Sequence, residues 1–573
     1  MSKLAIDQKS IQDLLTGKNS DFLIPDYQRP YSWTEDECGT LWDDLFGFCF
    51  PNDDSEQFNK DSEYFLGPIV TFKSPEKKLE IIDGQQRLTT ILLLLRAFYD
   101  RFVNMQDAPS RDIKSRIACC VWESDEFNAP IMDRLKIDSR VASDNEKDQF
   151  LQILSSGKVQ QSWKSKYAKN FRFFQERIQD LVNRYPTYTA LFAARILRNV
   201  ILLPIEAESQ DTALRIFSTL NDRGLPLSDA DIFKSQFYSY YDSHGETKRF
   251  IERWKAIEAE TGTTFSSSRN DPMVELFTQY MYFVRAKRGI KDTTTPALRV
   301  FFEGGNKYQA FKEKHVLNEL EALADFWHRI YQLEDFSKET QKLLFVLQYA
   351  PNGMWTYLTS VYFFSRRDDA NMLDEKAFNF FLRRITAFIL AYAVMRPGVN
   401  ALRSPVYPEM VNLATSKNID VTFEKFRFHR TELRTALEHF VFTNGRPVTR
   451  AILTWWAMQH QAQPMLDKFI PFDIEHIYPN RRMRETPLKR EANFEALGNK
   501  SILEKRINIR VSDYRFEDRR KYYIGEIGEG TQISELKELA QNQDFTEDMI
   551  EERTTAILDS FINELEVNQL LID

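Results

Sequence analysis

Residues 79–90, with the sequence LEIIDGQQRLTT, decide the fold of the first part of the chain, and they continue into the apolar run ILLLL of residues 91–95. A short apolar run ends at Asp83-Gly84, and a long apolar run begins directly after Arg87. This pattern predicts a strand, a tight turn and the N-terminus of a helix. Free backbone N–H groups and the positive end of the helix dipole would then face the turn, which makes it a candidate anion site.

Two side chains give this turn a chemistry that suits a nucleotide. The Arg87 guanidinium matches the geometry of phosphate oxygens. The Asp83 carboxylate could hold Mg²⁺ or orient a water, because Mg²⁺ usually takes one or two carboxylates together with substrate phosphates. The alternative is that Asp83 only caps the helix and that Arg87 lies on the surface, since Asp-Gly is common before a helix. The residues by themselves leave both alternatives open.

Three segments, in one order, resemble a known family. The segments are IPDYQRPYSW (residues 24–33), IIDGQQRLTTILLLL (residues 81–95) and FSTLNDRG (residues 217–224). They are similar to the ParB-like N-terminal domain of GmrSD-type, modification-dependent (type IV) restriction enzymes. The resemblance implies nucleotide binding and hydrolysis, with Asp83 as a catalytic residue. It implies these nucleotide-binding residues: Gln28, Arg29, Asp83, Gly84, Gln85, Gln86, Arg87, Asn221 and Arg223.

The IPDYQRPYSW segment is expected to be a loop or an edge strand, because Pro25 and Pro30 enforce extended backbone. Its aromatic side chains could pack as core or could line a pocket for a flat or apolar group. Following the family resemblance, we predict that Tyr27 and Tyr31 contact DNA. Amide and guanidinium donors from Gln28 and Arg29 suit phosphate or base contacts.

Composition bounds the protein class. With 573 residues the chain is long enough for two to four domains, and its 76 Lys and Arg against 84 Asp and Glu give a net charge of −8. This acidity argues against a protein that simply coats nucleic acid. The four cysteines form no CxxC pair, so neither a zinc ribbon nor a disulfide framework is indicated. We expect a bacterial or archaeal cytoplasmic protein without a signal peptide or membrane-spanning segment.

The pattern along the chain predicts an α+β protein with a ParB-like α/β domain over residues 1–245, a helical middle region over residues 246–430 and a nuclease domain over residues 431–573. Aromatic residues at helical spacing in the middle region are typical of core, and the histidines there are isolated. Within the first domain the expected elements are helices over residues 3–17 and 211–220, helices after capping boxes at Thr34 and Ser228, strands over residues 64–72, 79–82 and 199–205, and mainly helix over residues 98–198.

A second centre of chemistry lies in FDIEHIYP, residues 472–479. Its alternation predicts a strand with Asp473 and Glu475 on one face and His476 on the other. An acid beside a histidine at a strand end suits a metal nuclease, in which the histidine takes a proton from water and a hard cation offsets charge on the phosphate. The alternative is a surface strand with an incidental histidine.

A strand over residues 497–503, Asn508 and a helix over residues 515–523 follow. This order resembles the ββα-metal (HNH) nuclease domains of GmrSD-type enzymes and of RNA-guided nucleases. The resemblance implies that His476 is the general base and that Glu475 and Asn508 bind Mg²⁺ or Mn²⁺. It implies that Asn499 orients the histidine or holds the loop, so that Asn499 counts with the catalytic residues.

Charge is unevenly distributed near this centre. Residues 481–521 carry 13 Lys and Arg against 7 Asp and Glu, whereas residues 522–573 carry 2 against 13. A basic segment beside His476 could hold a phosphate backbone, and we predict DNA contacts from Arg481, Arg482, Lys505 and Arg506. The acidic tail, expected to be helical over residues 547–568, is either a solvated face or a competitor of DNA for the basic surface.

The sequence as a whole predicts a nucleotide-regulated, metal-dependent DNA endonuclease that restricts modified phage DNA. The nucleotide could be GTP, UTP, ATP or CTP, and homo-oligomerisation is left open. Two alternatives belong to other classes. One is an NTP-hydrolysing switch or scaffold with an inactive HNH domain, and the other is an unregulated nuclease toxin.

Overall fold

The computed structural model describes residues 5–17, 20–74, 76–141, 144–209, 212–213, 216, 228–266, 271–304, 308–333, 335–398, 400–416 and 420–572. The chain divides into two compact units, Met1–Lys255 and Ala256–Asp573. The predicted division near residue 430 stays a prediction. The predicted helix over residues 211–220, together with Asn221 and Arg223, falls almost entirely outside the described residues.

The N-terminal unit is built on a mixed sheet. Its strands are β1 (Ala5–Ile6), β2 (Lys9–Ser10), β3 (Phe22–Ile24), β4 (Tyr64–Lys73), β5 (Leu79–Asp83), β8 (Ile137–Ser139) and β9 (Val200–Ala207), while β6 (Trp122–Ser124) and β7 (Pro130–Leu135) form a separate hairpin. The order across the sheet is β1, β9, β4, β5, β3, β8, and β2 also pairs with β9. The central strand β4 runs antiparallel to β5 and parallel to β9.

Alternation along the central strands divides the core in two. Ile69 and Ile81 belong to the large core on one face of the sheet, whereas their neighbours Val70 and Ile82 belong to a smaller core on the other face. This is the two-residue period of a strand buried on both sides. The turn after β5 therefore begins at the end of a strand that is held firmly in the middle of the sheet.

The helices of this unit cover mainly one side of the sheet. They are α1 (Ile11–Thr16), α2 (Glu35–Cys49), α3 (Gln85–Val103), α4 (Ala108–Val121), α5 (Lys147–Ser156), α6 (Lys166–Arg184), α7 (Thr189–Asn199), α8 (Asp229–Ser243) and α9 (Thr247–Thr264), which contains the dividing residue. The leucines at residues 92–95 of α3 are completely buried. A helix that is apolar on nearly all sides must be surrounded by other elements, which explains the ILLLL run.

Several predicted elements of this unit are confirmed and two are wrong. The capping boxes at Thr34 and Ser228 are present, as are the strand pair β4–β5 and the strand β9. The predicted helix over residues 3–17 is wrong at its start, because β1 and β2 pair with β9, almost 200 residues away. The prediction of mainly helix over residues 98–198 missed the strands β6, β7 and β8. These strands are too short for an alternating pattern to be read.

The second unit is helical through its first part, as predicted for the middle region. Its helices there are α10 (Pro272–Lys287), α11 (Leu298–Glu303), α12 (Lys314–Gln332), α13 (Lys338–Leu347), α14 (Met354–Arg366), α15 (Glu375–Met395) and α16 (Arg403–Thr415). By length and composition α15 could cross a membrane, which the sequence analysis did not expect. However, 72% of its most apolar stretch is buried inside the unit, as in the core helix of a soluble protein.

The end of the chain surrounds one antiparallel strand pair. The elements are β10 (Phe428–His429), α17 (Arg430–His439), α18 (Pro447–Gln459), β11 (Phe472–His476), α19 (Asn480–Glu485), β12 (Lys500–Glu504), α20 (Lys505–Val511), α21 (Phe516–Ile524), α22 (Ser534–Leu539), α23 (Glu547–Val567) and β13 (Leu571–Ile572). The strands β11 and β12 pair with each other, and β10 pairs with β13. The predicted order of strand, strand and helix is present, with α20 as an additional helix that carries Asn508. The predicted strand over residues 497–503 is wrong at its start, because Leu497–Asn499 form a 3₁₀ turn and β12 begins only at Lys500.

Candidate active sites

Gly84 makes the sharp turn between β5 and α3. Its φ of +90° lies in the left-handed region, and a Cβ there would come within 2.9 Å of Ile69 Cγ1 and 3.2 Å of the Pro68 carbonyl oxygen. Only glycine fits both the conformation and the space. Gly84 itself occupies the N-cap position of α3, so Asp83 is not the capping residue. The first backbone N–H groups of α3 thus begin directly after the Asp83 carboxylate.

Arg87 ties the helix to the neighbouring strand. Its Nη2 lies 3.2 Å from Asp83 Oδ2, and its Nη1 donates to the Pro68 carbonyl at 2.8 Å. Both charged side chains are about one-fifth exposed, with values of 21% for Arg87 and 19% for Asp83. Burial raises the pKa of Asp83, against the opposing effects of Arg87 and Arg29. The surface alternative for Arg87 is therefore wrong: the guanidinium is held beside the turn.

Amide side chains fasten the IPDYQRPYSW segment against this turn. The three glutamines are buried, and their polar ends meet backbone groups of the facing segment. Their assignment as nucleotide ligands stays a prediction. In this structure they hydrogen-bond the IPDYQRPYSW segment to β5 and to the start of α3. The bonds run from Gln28 Nε2 to the Ile81 and Ile82 carbonyls (3.2 Å each), from Gln85 Nε2 to the Arg29 carbonyl (3.2 Å), from Gln86 Nε2 to the Pro30 carbonyl (3.2 Å) and from the Ser32 N–H to Gln86 Oε1 (2.7 Å).

Tyr27 and Tyr31 are packed in the core, which is the first of the two alternatives for these aromatic side chains. Tyr27 is 4% exposed and Tyr31 is 7% exposed. The Tyr31 hydroxyl hydrogen-bonds to Thr90 Oγ1 at 2.7 Å and accepts from Asn170 Nδ2 at 3.0 Å. A DNA contact by either ring stays a prediction, and it requires this segment to move.

Arg29 acts on the turn through its positive charge. Its charge lowers the pKa of Asp83 and also that of Asp231, which burial raises. Asp231 belongs to the capping box of α8. The charge of Arg29 therefore acts on both the turn and the start of α8.

In the second unit the β11–β12 pair places His476 at the end of the ladder. The register opposes Asp473 to Leu503, Glu475 to Ser501 and His476 to Lys500. Since side chains alternate along a strand, Asp473 and Glu475 point to one face and His476 to the other.

His476 is enclosed by its neighbours. Its Nε2 is buried and lies 3.3 Å from Glu495 Oε1, and its ring stacks on Phe494 with centroids 4.5 Å apart. Burial, together with the Lys500 charge, lowers the pKa of His476 to about 4, although Glu495 opposes the shift. The imidazole is therefore neutral at physiological pH, with a lone pair on one ring nitrogen, and its low pKa makes it a weaker base than a free imidazole.

Glu475 and Asn508 take different partners. Glu475 forms a buried ion pair with Arg519, whose Nη1 also donates to the His476 carbonyl at 2.6 Å. Burial raises the pKa of Glu475 to about 7, and Arg519 opposes this shift. Asn508 Nδ2 lies 3.4 Å from Asp473 Oδ2. The carboxylate beside Asn508 is thus that of Asp473, which the sequence placed on the correct face without assigning it to the metal.

The oxygen atoms on this face suit a hard cation, but they are few. Among the described residues there is no group of three or more His, Cys, Asp or Glu side chains that could hold a metal ion. The oxygen donors here are the Asp473 carboxylate and the amide oxygen of Asn508, with the Glu475 carboxylate held by Arg519. Such a set fits Mg²⁺ or Mn²⁺, which fill their remaining positions with water and substrate phosphate.

Asn499 is completely buried behind the histidine. Its Oδ1 accepts from the Tyr478 N–H at 2.7 Å, and its Nδ2 donates to the Phe494 carbonyl at 2.9 Å. Of the two roles predicted for Asn499, these bonds are those of a residue that holds the loop.

Three of the four predicted DNA-binding cations are exposed, Arg482 is partly buried, and three of the four are paired with acids. Arg482 forks onto Asp544 and covers the Tyr478 ring, Arg481 pairs with Glu485, and Arg506 pairs with Glu529. Lys505 is exposed at the start of α20. DNA binding by these four residues stays a prediction.

The acidic tail is an integral part of the nuclease region. Arg553 of α23 is buried and donates to the Leu497, Gly498 and Lys500 carbonyls at 2.7–3.0 Å. Its guanidinium also pairs with Glu535. The tail therefore supports the turn that carries Asn499, so that removing residues 522–573 would unfold this region before it could test competition with DNA.

Models of known protein families match the N-terminal part and the C-terminal part of the chain. Residues 11–238 match the model of the GmrSD restriction endonuclease N-terminal domain, and residues 429–560 match that of the GmrSD restriction endonuclease C-terminal domain. Together these matches span more than half of the chain. The chain belongs to the GmrSD restriction endonuclease family. As a member of this family it is a type IV restriction nuclease with a DNA substrate and a role in defence. No curated protein matches it.

Within this GmrSD protein, sequence reasoning missed four side chains or positions that shape the two sites. Gly67 has a φ of +124°, and a Cβ there would clash with Arg87 Nη1. Its signal was a glycine inside a strand pattern, which often marks a close approach. Glu495, Lys500 and Arg519 gave no local signal, because each acts on a residue from another element.

Proposed function

We propose that this GmrSD restriction endonuclease cuts DNA at the β11–β12 centre by a metal-dependent mechanism of the HNH type. The observation that supports it best is the setting of His476, an imidazole at the end of β11 whose ring stacks on Phe494 and lies next to Glu495. His476 takes a proton from the attacking water through its free nitrogen. Phe494 keeps the ring in place while the phosphate enters, and Asn499 holds the Phe494 carbonyl.

Asp473, Glu475 and Asn508 would hold the divalent metal. When bound, a Mg²⁺ or Mn²⁺ ion neutralises charge on the scissile phosphate and stabilises the leaving oxygen. Asp473 and Asn508 are already adjacent, whereas Glu475 joins them only when Arg519 releases it. Cations on the surrounding surface, with Arg481, Lys505 and Arg506 the most exposed, bind the phosphate backbone on either side.

The N-terminal unit binds and hydrolyses a nucleoside triphosphate at the Gly84 turn. The first N–H groups of α3 and the positive charges of Arg29 and Arg87, both of which act on Asp83, suit the binding of phosphate oxygens. Asp83 orients the attacking water or a Mg²⁺ ion at this position. The buried glutamines keep the facing segment close to the turn, and Asn221 and Arg223 complete the site.

The substrate of the nuclease is modified phage DNA in the cytoplasm, and the nucleotide controls its cutting. Neutral His476, with its ring supported by Asn499 and Phe494, favours an active centre over the switch or scaffold alternative. The ordered Asp83–Arg87 pair favours a nucleotide site over the unregulated toxin alternative.

Cleavage of matched modified and unmodified phage DNA, with Mg²⁺ or Mn²⁺ and with or without each NTP, tests this proposal. His476→Ala should abolish cutting and leave NTP hydrolysis intact, whereas Asp83→Ala should abolish hydrolysis and change the dependence of cutting on NTP. NTP hydrolysis without cutting of any DNA would support the switch alternative. Cutting that ignores both NTP and Asp83→Ala would support the unregulated nuclease.

A further inference from the structure

We propose that Glu495 is a positioning residue that sets the tautomer of His476, and that Lys500 holds Glu495 in the required place. The inference rests on the proposed role of His476 as the base that takes a proton from water. It replaces Asn499 as the residue that orients the imidazole, and it adds two side chains that the family resemblance did not supply.

The contact with the histidine is made by one oxygen of the carboxylate. Glu495 Oε1 lies 3.3 Å from His476 Nε2, a buried nitrogen that makes no hydrogen bond of ordinary geometry to any described group, so the carboxylate approaches the ring as a charge at ion-pair distance. A carboxylate can accept a hydrogen bond but cannot donate one, so its position beside Nε2 favours the tautomer that carries the proton on this nitrogen. The lone pair is then left on Nδ1, which becomes the nitrogen that receives the proton of the attacking water.

The other carboxylate oxygen is fixed by a buried cation. Lys500 Nζ lies 2.5 Å from Glu495 Oε2, and the Lys500 side chain is 0% exposed. The same ammonium donates to the Phe442 carbonyl at 2.5 Å and to Asn444 Oδ1 at 2.9 Å, so that its three protons are all used. Lys500 pairs with His476 across the β11–β12 ladder, so the strand register places the Lys500 ammonium near the histidine and Glu495.

Phe494 and Glu495 contact the His476 ring at two places, its face and its edge. The Phe494 ring stacks on the imidazole with an interplanar angle of 7°, which fixes the ring plane, and Glu495 meets its edge. Asn499 Nδ2 holds the Phe494 carbonyl at 2.9 Å. A carboxylate that orients a metal-bound histidine typically contributes about 10- to 100-fold to activity, and we expect the same range for a carboxylate that orients a histidine base.

The test uses the full-length protein with ¹⁵N-labelled histidine. The His476 ring signals are assigned by their loss in His476→Ala, and wild type should show the proton on Nε2. In Glu495→Ala we expect a mixture of tautomers and a kcat for DNA cleavage about 10- to 100-fold lower, with KM little changed. Glu495→Gln keeps an oxygen acceptor, so it should restore much of the Nε2–H signal and of kcat.

Two further variants separate the outcomes. Glu491→Gln changes an exposed acid in the same turn and should leave both the tautomer and the cleavage rate as in wild type. Lys500→Met should mix the tautomers as Glu495→Ala does, and the Glu495 variants carry the test if Lys500→Met does not fold. An unchanged Nε2–H signal in Glu495→Ala would overturn the inference. Cutting by His476→Ala would instead refute the proposed function, and the tautomer measurement would still stand.

Discussion

Replacing Arg519 by methionine should show how strongly the buried charge on Glu475 lowers the free energy of unfolding when it has no counter-charge. The Arg519 side chain is 2% exposed and that of Glu475 is 9% exposed, and the two form an ion pair under β11. Arg519 also donates to the backbone carbonyls of Tyr514 and His476, at 2.8 Å and 2.6 Å. The substitution therefore removes both a counter-charge and a set of donors, and pH separates the two effects.

The sign follows from the direction of the Glu475 shift. Its pKa in the folded protein is raised from 4.5 to about 7, so the folded state holds the proton more tightly than the unfolded state. Stability is then fullest below pH 4.5 and falls as pH rises through about 7, by at most about 3 kcal/mol. Without Arg519 the pKa of Glu475 rises further, and the loss continues to higher pH.

Arg519→Met should accordingly lower the free energy of unfolding by about 3–5 kcal/mol at pH 8. At pH 5 Glu475 is neutral in both proteins, and only the lost hydrogen bonds remain, at about 1–3 kcal/mol. Adding Glu475→Gln to Arg519→Met should remove the difference between the two pH values.

The assay is urea unfolding at pH 5 and pH 8 in the presence of a chelator, with hydrogen exchange of the β11 and β12 amides as the local probe. Arg515→Met is the matched control, because Arg515 pairs with Glu485 on the surface, with exposures of 61% and 36%. It should cost less than about 1 kcal/mol at either pH. Equal destabilisation by Arg519→Met at both pH values would refute the reasoning.

Three more predictions concern other supports of the two sites. Gly67→Ala should displace Arg87, lower the free energy of unfolding by about 1–3 kcal/mol and reduce NTP hydrolysis, whereas normal thermal unfolding would contradict it. Burial raises the pKa of Glu80 to about 7, so the contribution of Glu80 to stability falls as pH rises from 4.5 through 7. In thermal unfolding, Glu80→Gln should be more stable than wild type by about 1–2 kcal/mol at pH 8 and equally stable at pH 4.5. Arg553→Met should lower the free energy of unfolding in urea by about 3–5 kcal/mol, and adding Glu535→Gln should restore part of this loss. An unchanged urea midpoint in Arg553→Met would contradict a structural role for the Arg553–Glu535 pair.

Features that depend on neighbouring residues could be predicted well. The Gly84 turn, the capping boxes at Thr34 and Ser228 and the strand that ends at His476 were all predicted from local patterns. Each is decided by backbone preferences or by hydrogen bonds across three or four residues, which are written in one short stretch of sequence.

Predictions of side-chain roles were less complete. Asp473 was placed on the same strand face as Glu475, but only the structure shows that it stands beside Asn508 while Glu475 pairs with Arg519. The predicted DNA contacts of Tyr27 illustrate the same limit. An aromatic residue in a proline-rich segment carries the same pattern whether it faces solvent or the core.

By itself, then, the sequence determined the family, the two centres of chemistry and the elements that carry them, because these depend on motifs and on short-range periodicity. Tertiary structure alone decided which charged groups meet. Lys500 stands opposite His476 through strand register, Glu495 reaches the imidazole from a separate turn, and β1 pairs with β9 from almost 200 residues away. Such pairings depend on how whole elements pack together, and no local pattern in the chain specifies them.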